Sequence, residues 1–229
     1  MRIPNSKKQI KARFSFLLVV LLLLAVMITG VGCGNSSFDP SAYVRSFMDL
    51  LTKGEVKEYM KLSGESEEEA MEQYKAMTDS ISESIGAYGA SEEVQARFVE
   101  VFKKILAKSK YEVGEAKKTD DDGYEVPVTI EPITGLYDGL TQELQDEATE
   151  YGEEIAKKGE SIDQAVMTDW VFNKLLDKME ERLDSIAYGE PQTITVVIKK
   201  TDDGYEIDDA EALGQQIGLA LIDTNDSAQ

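Results

Sequence analysis

Apolar residues recur along the chain at two spacings, one near 3.6 residues and one of two, and the switches between them mark out its elements. Asp39-Pro40 reads as an N-cap followed by proline at the first helical position, and Tyr43, Phe47, Leu50 and Leu51 follow at helical spacing up to Lys53-Gly54. A short helix over 55–62 is expected to stop at Gly64. Ser66-Glu67-Glu68-Glu69 fits a capping box, and it opens a helix whose stripe is Met71, Tyr74, Met77 or Thr78, Ile81, Ile85 and Tyr88, fraying at Gly86 and Gly89. Ser91 starts the next helix, with Val94, Phe98, Phe102 and Ile105 on one side.

The spacing then drops to two. A strand is expected from Tyr111 to about Lys118, a turn at Asp120-Asp121-Asp122-Gly123, and a returning strand in which Tyr124, Val126, Val128 and Ile130 alternate with polar residues. Pro127 lacks the N–H a ladder needs, which predicts an edge position or a bulge. After Pro132 and Gly135 the helical spacing resumes in two pieces divided near Gly159. Leu140, Leu144, Ala148, Tyr151 and Ile155 line the first; Ser161 is the expected cap of the second, lined by Ile162, Val166, Phe172, Leu176, Met179, Leu183 and Ile186. Gly189 and Pro191 end it. A second hairpin follows, with Ile194, Val196 and Ile198 alternating, a turn at Asp202-Asp203-Gly204 and a return through Tyr205-Glu206-Ile207. Asp208 or Asp209 then caps a last helix carrying Leu213, Ile217 and Leu221.

Upstream of all this the pattern is neither helical nor alternating. Residues 1–13 carry Arg2, Lys7, Lys8, Lys11 and Arg13 and no acid, and Phe14 to Ile28 is apolar apart from Ser15, the two opening regions of a secretory signal. An apolar run of about 15 residues falls short of the roughly 20 that cross a bilayer as a helix. Thr29-Gly30-Val31-Gly32-Cys33 then resembles a lipobox, with Gly32 directly before the cysteine and Gly30 where an aliphatic residue is usual. The expected organisation is a lipoprotein signal peptide over 1–32, a lipid-anchored linker over 33–38 with Cys33 as the attachment site, and one α+β domain over 39–229. The competing reading is an uncleaved signal anchor; either way the positive leader stays cytoplasmic and the chain after it lies on the extracytoplasmic side.

Charge narrows the partners. The leader holds five of the 24 basic residues and none of the 44 acidic ones, so the chain from Cys33 onward has 19 bases against 44 acids, a formal charge of −25. Such a chain repels phosphate backbones, so nucleic acid is not an expected partner. A basic protein face or a small ligand is, alongside the membrane reached through Cys33.

Candidate chemistry is sparse. The sequence contains no histidine, which excludes Ser-His-Asp and Cys-His catalysis and imidazole-ligated metal sites. Cys33 is the single cysteine, so no intrachain disulfide or zinc cluster can form. Asp120-Asp121-Asp122-Gly123 fails the calcium-loop pattern, because Lys118 stands at its first position and Thr129 where a bidentate acid belongs; the second turn fails with Lys199 and Thr201. Glu143, Glu147, Glu150 and Glu154 form a carboxylate stripe that either meets a cation or basic partner or is a solvated face. Trp170, Tyr124 and Tyr205 are candidates for a sugar or peptide cleft, with the core as the plainer alternative. No catalytic residue, metal ligand or cofactor site is assigned.

The two hairpins share nearly the same words, Lys117-Lys118-Thr119-Asp120-Asp121-Asp122-Gly123-Tyr124-Glu125 and Lys199-Lys200-Thr201-Asp202-Asp203-Gly204-Tyr205-Glu206. With the lipobox, the helical first half and the closing strand and helix, the chain resembles a group of Gram-positive bacterial lipoproteins with a cystatin-like or nuclear transport factor 2-like fold. The resemblance implies N-terminal helices and a long helical insertion packed on a curved antiparallel sheet made of two hairpins. The expected function is a non-enzymatic ligand- or protein-binding module held at the cell envelope; the alternative is a carboxylate-dependent enzyme acting on cell-wall glycan.

Overall fold

A computed structural model describes residues 38–202 and 204–223. The signal segment 1–32, Cys33 and the linker up to Ser37 lie outside the described residues.

Four helices open the fold: α1 (Pro40–Lys53), α2 (Lys57–Ser63), α3 (Glu67–Gly86) and α4 (Glu92–Leu106). Their ends follow the local chemistry. Asp39 accepts from the Ala42 amide, Gly54 and Gly64 stop α1 and α2 in the left-handed conformation, and Ser66 and Glu69 complete a reciprocal capping box. The stripe of α3 is buried as expected at Met77, Thr78, Ile81 and Ile85, but at its start Ala70 is fully buried and Met71 is 43% exposed.

The strands β1 (Lys110–Val113), β2 (Lys117–Lys118), β3 (Tyr124–Glu131), β6 (Gln192–Lys200) and β7 (Tyr205–Ile207) form an antiparallel sheet in the order β1-β3-β6-β7, with β2 also paired to β3. The sheet curls into a half-barrel. Val126, Val128, Ile130, Val196, Ile198 and Ile207 face its buried side, while Glu125, Thr193, Thr195 and Val197 face water. Helix α1 and the last helix, α7 (Ala210–Leu221), pack against this sheet, so that Tyr43, Phe47, Leu213 and Ile217 join its buried residues in one apolar cluster. The α+β architecture expected from the two spacings, including the long helical insertion between two hairpins, is the one observed.

Pro127 does not lie at an edge, because β3 is paired on both sides. It sits at a bulge. From the Gly114–Pro127 pairing to Lys117–Glu125 the first strand advances three residues and β3 two, so the strand expected to run unbroken to Lys118 is split in two.

The insertion consists of α5 (Leu140–Lys158) and α6 (Gln164–Arg182), and its base is clamped by the short pair β4 (Ile133–Thr134) and β5 (Ala187–Tyr188). Asp163 caps α6, accepting from Ala165 N at 2.8 Å, so Ser161 and Ile162 precede the helix instead of opening it. Phe172, Leu176, Met179 and Leu183 are buried as expected, but Val166 is 54% exposed. Arg97 of α4 fastens the insertion, donating to Asn173 Oδ1 at 2.8 Å, Asp177 at 2.6 Å and Glu180 at 2.9 Å.

Candidate functional site

Helix α1 presents Ser41, Arg45, Asp49 and Lys53 at four-residue intervals, which places them along one face. That face overlooks strand β1 at the edge of the sheet. Ser41 Oγ donates to Gly114 O at 2.8 Å at one end, and Tyr111 donates to Asp49 Oδ1 at 2.6 Å nearer the other. Between them a groove of about 710 Å³ is lined by Arg45, Asp49, Lys53, Ser109, Tyr111 and Val113, among others.

The polar groups in this groove are unevenly committed. Burial pushes the Tyr111 hydroxyl up to about 12, and its bond to Asp49 acts in the same direction, so it is a neutral donor at physiological pH. Lys53 pairs with the same Asp49 oxygen and lies 5.4 Å from the centre of the Tyr111 ring; its hydrogen bond to Asp49 holds its pKa above the ordinary value. Arg45, by contrast, is exposed and makes no ion pair within 4 Å among the described residues. Ser109 Oγ is shielded from water and has no hydrogen-bond partner among them.

The backbone of β1 adds a second kind of recognition. Gly114 N–H donates to Pro127 O at 2.8 Å, which makes 114 and 127 a hydrogen-bonded pair. Such pairs alternate in an antiparallel ladder, so Glu112 also turns its amide and carbonyl toward β3, while Tyr111 and Val113 direct theirs off the sheet edge. The groove therefore combines a short open strand edge, an unpaired guanidinium and an orphan hydroxyl. None of these was singled out from sequence, because four-residue spacing on α1 says nothing about which strand it will face.

The residues that were singled out are dispersed. Cys33 lies outside the described residues. The first aspartate turn is a hairpin turn: Thr119 N donates to Gly123 O at 3.0 Å, Thr119 bonds Asp121, and Lys118 and Lys200 pair with Asp122. Half of the glutamate stripe meets bases from within the chain. Glu143 pairs with Lys178 at 3.1 Å and Arg182 at 2.9 Å, and Glu147 with Lys178 at 2.7 Å and Lys174 at 3.7 Å, which offsets the like-charge cost. Glu150 and Glu154 are exposed. Trp170 stacks on Tyr151 at 4.7 Å, far along the chain from the other two aromatics. Tyr124 and Tyr205 instead gather around Phe38, which stacks on Tyr205 at 4.2 Å with the rings 8° from parallel.

A carboxylate of unusual environment lies near this aromatic group. Glu65 accepts from Gln73 at 2.7 Å and Tyr59 at 3.2 Å, and its burial raises its pKa. Tyr59, stacked on Tyr43, is raised by burial as well, and burial raises Tyr43 beside it. Glu69, whose charge acts on Glu65, is lowered by the hydrogen bond it accepts from the Ser66 amide. Among the described residues no group of three or more acidic or cysteine side chains could hold a metal ion.

The family model described as Domain of unknown function (DUF5105) matches residues 39–222. Among curated proteins none matches the sequence. A crystal structure of a candidate lipoprotein, YcdA from Bacillus subtilis, superposes with a TM-score of 0.56 at 20% identity over 81% of this chain. This chain covers 57% of that one, and the likeness is one of fold.

Proposed function

The chain belongs to the family of the Domain of unknown function (DUF5105), and on that premise we propose that it is a lipid-anchored, extracytoplasmic binding module that receives an extended peptide in the groove between α1 and β1. One observation carries this reading: the outward-facing amides and carbonyls of Tyr111 and Val113 open onto a groove whose Arg45 has no ion-pair partner within 4 Å among the described residues. An added strand would pair with those backbone groups, and an acidic side chain or terminal carboxylate on it would meet the guanidinium. On this reading specificity lies in the charge at Arg45 and affinity in the backbone pairing.

The anchor is Cys33, in line with the description of the similar Bacillus subtilis chain as a candidate lipoprotein. No helix among the described residues is long and apolar enough to cross a membrane. The cystatin-like or nuclear transport factor 2-like kinship fits the curled sheet, but α1 and α7 fill the concave side, so recognition moves from the cup to the sheet edge. A glycan-cleaving enzyme would need a second carboxylate working with Glu65, and we favour the groove instead.

A photo-crosslinking residue in place of Glu112, beside the groove, tests the proposal on intact cells, with the same residue in place of Glu154 as control. Reproducible peptide adducts at 112, lost in Arg45→Glu and absent at 154, are expected. Adducts that are equal at both positions, or indifferent to Arg45→Glu, sink the peptide-groove reading.

A further inference from the structure

We infer that the two aspartate-glycine hairpin tips, with Lys117, Lys118, Lys199 and Lys200, form the surface on which the domain rests against the bilayer. The inference rests on the reading that the chain is held to the membrane at Cys33, and it adds which face the domain turns to the lipid. Phe38, where the described fold begins, is not a loose end. Its ring stacks on Tyr205 at 4.2 Å and lies 5.6 Å from Tyr43 and 6.0 Å from Tyr124. Tyr124 directly follows Gly123 of the first tip and pairs with Lys118, and Tyr205 directly follows Gly204 of the second and pairs with Lys200. The chain therefore leaves the domain between the two tips.

Cys33 stands five residues before Phe38, and five residues span at most about 17 Å when fully extended. A lipid on Cys33 consequently holds the tips within reach of the headgroups and turns the opposite end of the sheet outward. That far end carries Lys110, Glu131 and Gln192, where β1 and β6 begin and β3 ends, and the α1–β1 groove reaches it through Lys110, Glu131 and Pro191. Charge agrees with the tether. The chain from Cys33 onward holds 19 basic residues against 44 acidic ones, yet four of the 19 stand in two two-residue steps at the tips. Residues 117–124 and 199–205 hold these four lysines against five aspartates, a formal charge of −1, and Lys118 and Lys200 pair with Asp122 and Lys199 with Asp208. An anionic bilayer is repelled least by the part of an acidic protein where lysines nearly balance the carboxylates.

Cys33 is the single cysteine, so the chain from Cys33 onward can be coupled through its own thiol to a maleimide-headgroup lipid in vesicles of phosphatidylcholine and phosphatidylglycerol. Hydrogen–deuterium exchange of the tethered and free chains is then compared. Several-fold slower exchange over 117–124 and 199–205 is expected in the tethered chain. It is expected to disappear when the tether is moved to the far end in a Cys33→Ser, Glu190→Cys variant, and to weaken in Phe38→Ala, whose near-ultraviolet circular dichroism reports whether the core persists. Equal protection from both tether points, or protection confined to the α5–α6 tip, overturns the inference. Because the coupling is chemical, the two readings fail separately. Protected tips together with an unlipidated Cys33 in cells sink the anchor alone, and a lipidated Cys33 with unprotected tips sinks the orientation alone.

Discussion

The hydroxyl of Ser41 donates to the carbonyl of Gly114, 73 residues away, at 2.8 Å, and accepts from the Ala116 amide at 3.1 Å. It thereby repairs the sheet where Pro127 cannot. Gly114 faces Pro127, whose nitrogen has no hydrogen to offer that carbonyl, and the bulge takes Ala116 out of the ladder.

Removing this hydroxyl strands two backbone groups at a partly buried site. Ser41→Ala is expected to cost about 1–3 kcal/mol, read by chemical denaturation. Gly114→Ala should destabilise by a different route, since a Cβ there would lie 2.9 Å from Pro127 Cγ. Its partner test is Gly114→Ala with Pro127→Ala, which removes the clash and should recover part of the loss. No recovery would place the strain elsewhere.

Arg97 joins α4 to the insertion through three side chains of α6. Arg97→Ala leaves Asp177 and Glu180 without that partner, and an expected loss of about 2 kcal/mol should come with faster amide exchange in α6 than in α4. Lys cannot reproduce the fork, so Arg97→Lys should recover only part of it.

The acid dependence of stability should divide by residue. Hydrogen bonds from Lys178 to Glu147, and from Lys104 and Arg97 to Glu180, hold both carboxylates below the ordinary glutamate value of about 4.3. Their contribution is present above that value and lost as pH falls through the lower folded one. Glu65 has the opposite sign: with its folded pKa raised by burial, its favourable contribution is complete below the ordinary value and lost as pH rises through the folded one. At neutral pH, Glu65→Gln should therefore raise the free energy of unfolding, while Glu147→Gln lowers it by less than about 1 kcal/mol because both partners are partly solvated. The Glu147 effect should fade as pH falls below the ordinary glutamate value.

Calcium is expected to leave the melting temperature unchanged. The glutamates of α5 that face α6 are already paired with Lys174, Lys178 and Arg182, and the Asp122 turn with Lys118 and Lys200. A concentration-dependent stabilisation in calorimetry would show that a cation competes with these lysines after all.

Cys33→Ser should abolish lipid labelling of the chain and either release it from the membrane or leave it unprocessed. Unchanged retention and mobility would favour the uncleaved anchor.

Most of the elements were legible in the sequence because their causes are local. The capping box at Ser66 and Glu69, the left-handed glycines 54, 64 and 159, and the two hairpins with one buried face each depend on residues a few positions apart. Where local signals competed, the outcome was less readable. Ser161 and Asp163 are both good caps by residue type, and the helix starts at Asp163. Met71 and Ala70 are both compatible with the stripe of α3 by spacing, and it is Ala70 that the fold buries.

The candidate site was not legible. Ser41, Arg45, Asp49 and Lys53 announce a polar helix face, and Tyr111 and Val113 an alternating strand; that the two meet is a fact of topology, fixed by contacts 62 and 73 residues apart in sequence. The same holds for the bases that answer Glu143 and Glu147, which lie on the next helix, and for Phe38, which reads as linker until Tyr205 stacks on it. By itself the sequence determined the elements, the α+β class and the absence of histidine chemistry, because those follow from periodicity, turn residues and composition. Only the tertiary structure decided which polar faces neutralise one another and which, like Arg45 over the β1 edge, lie open, because that depends on side chains brought together from distant parts of the chain.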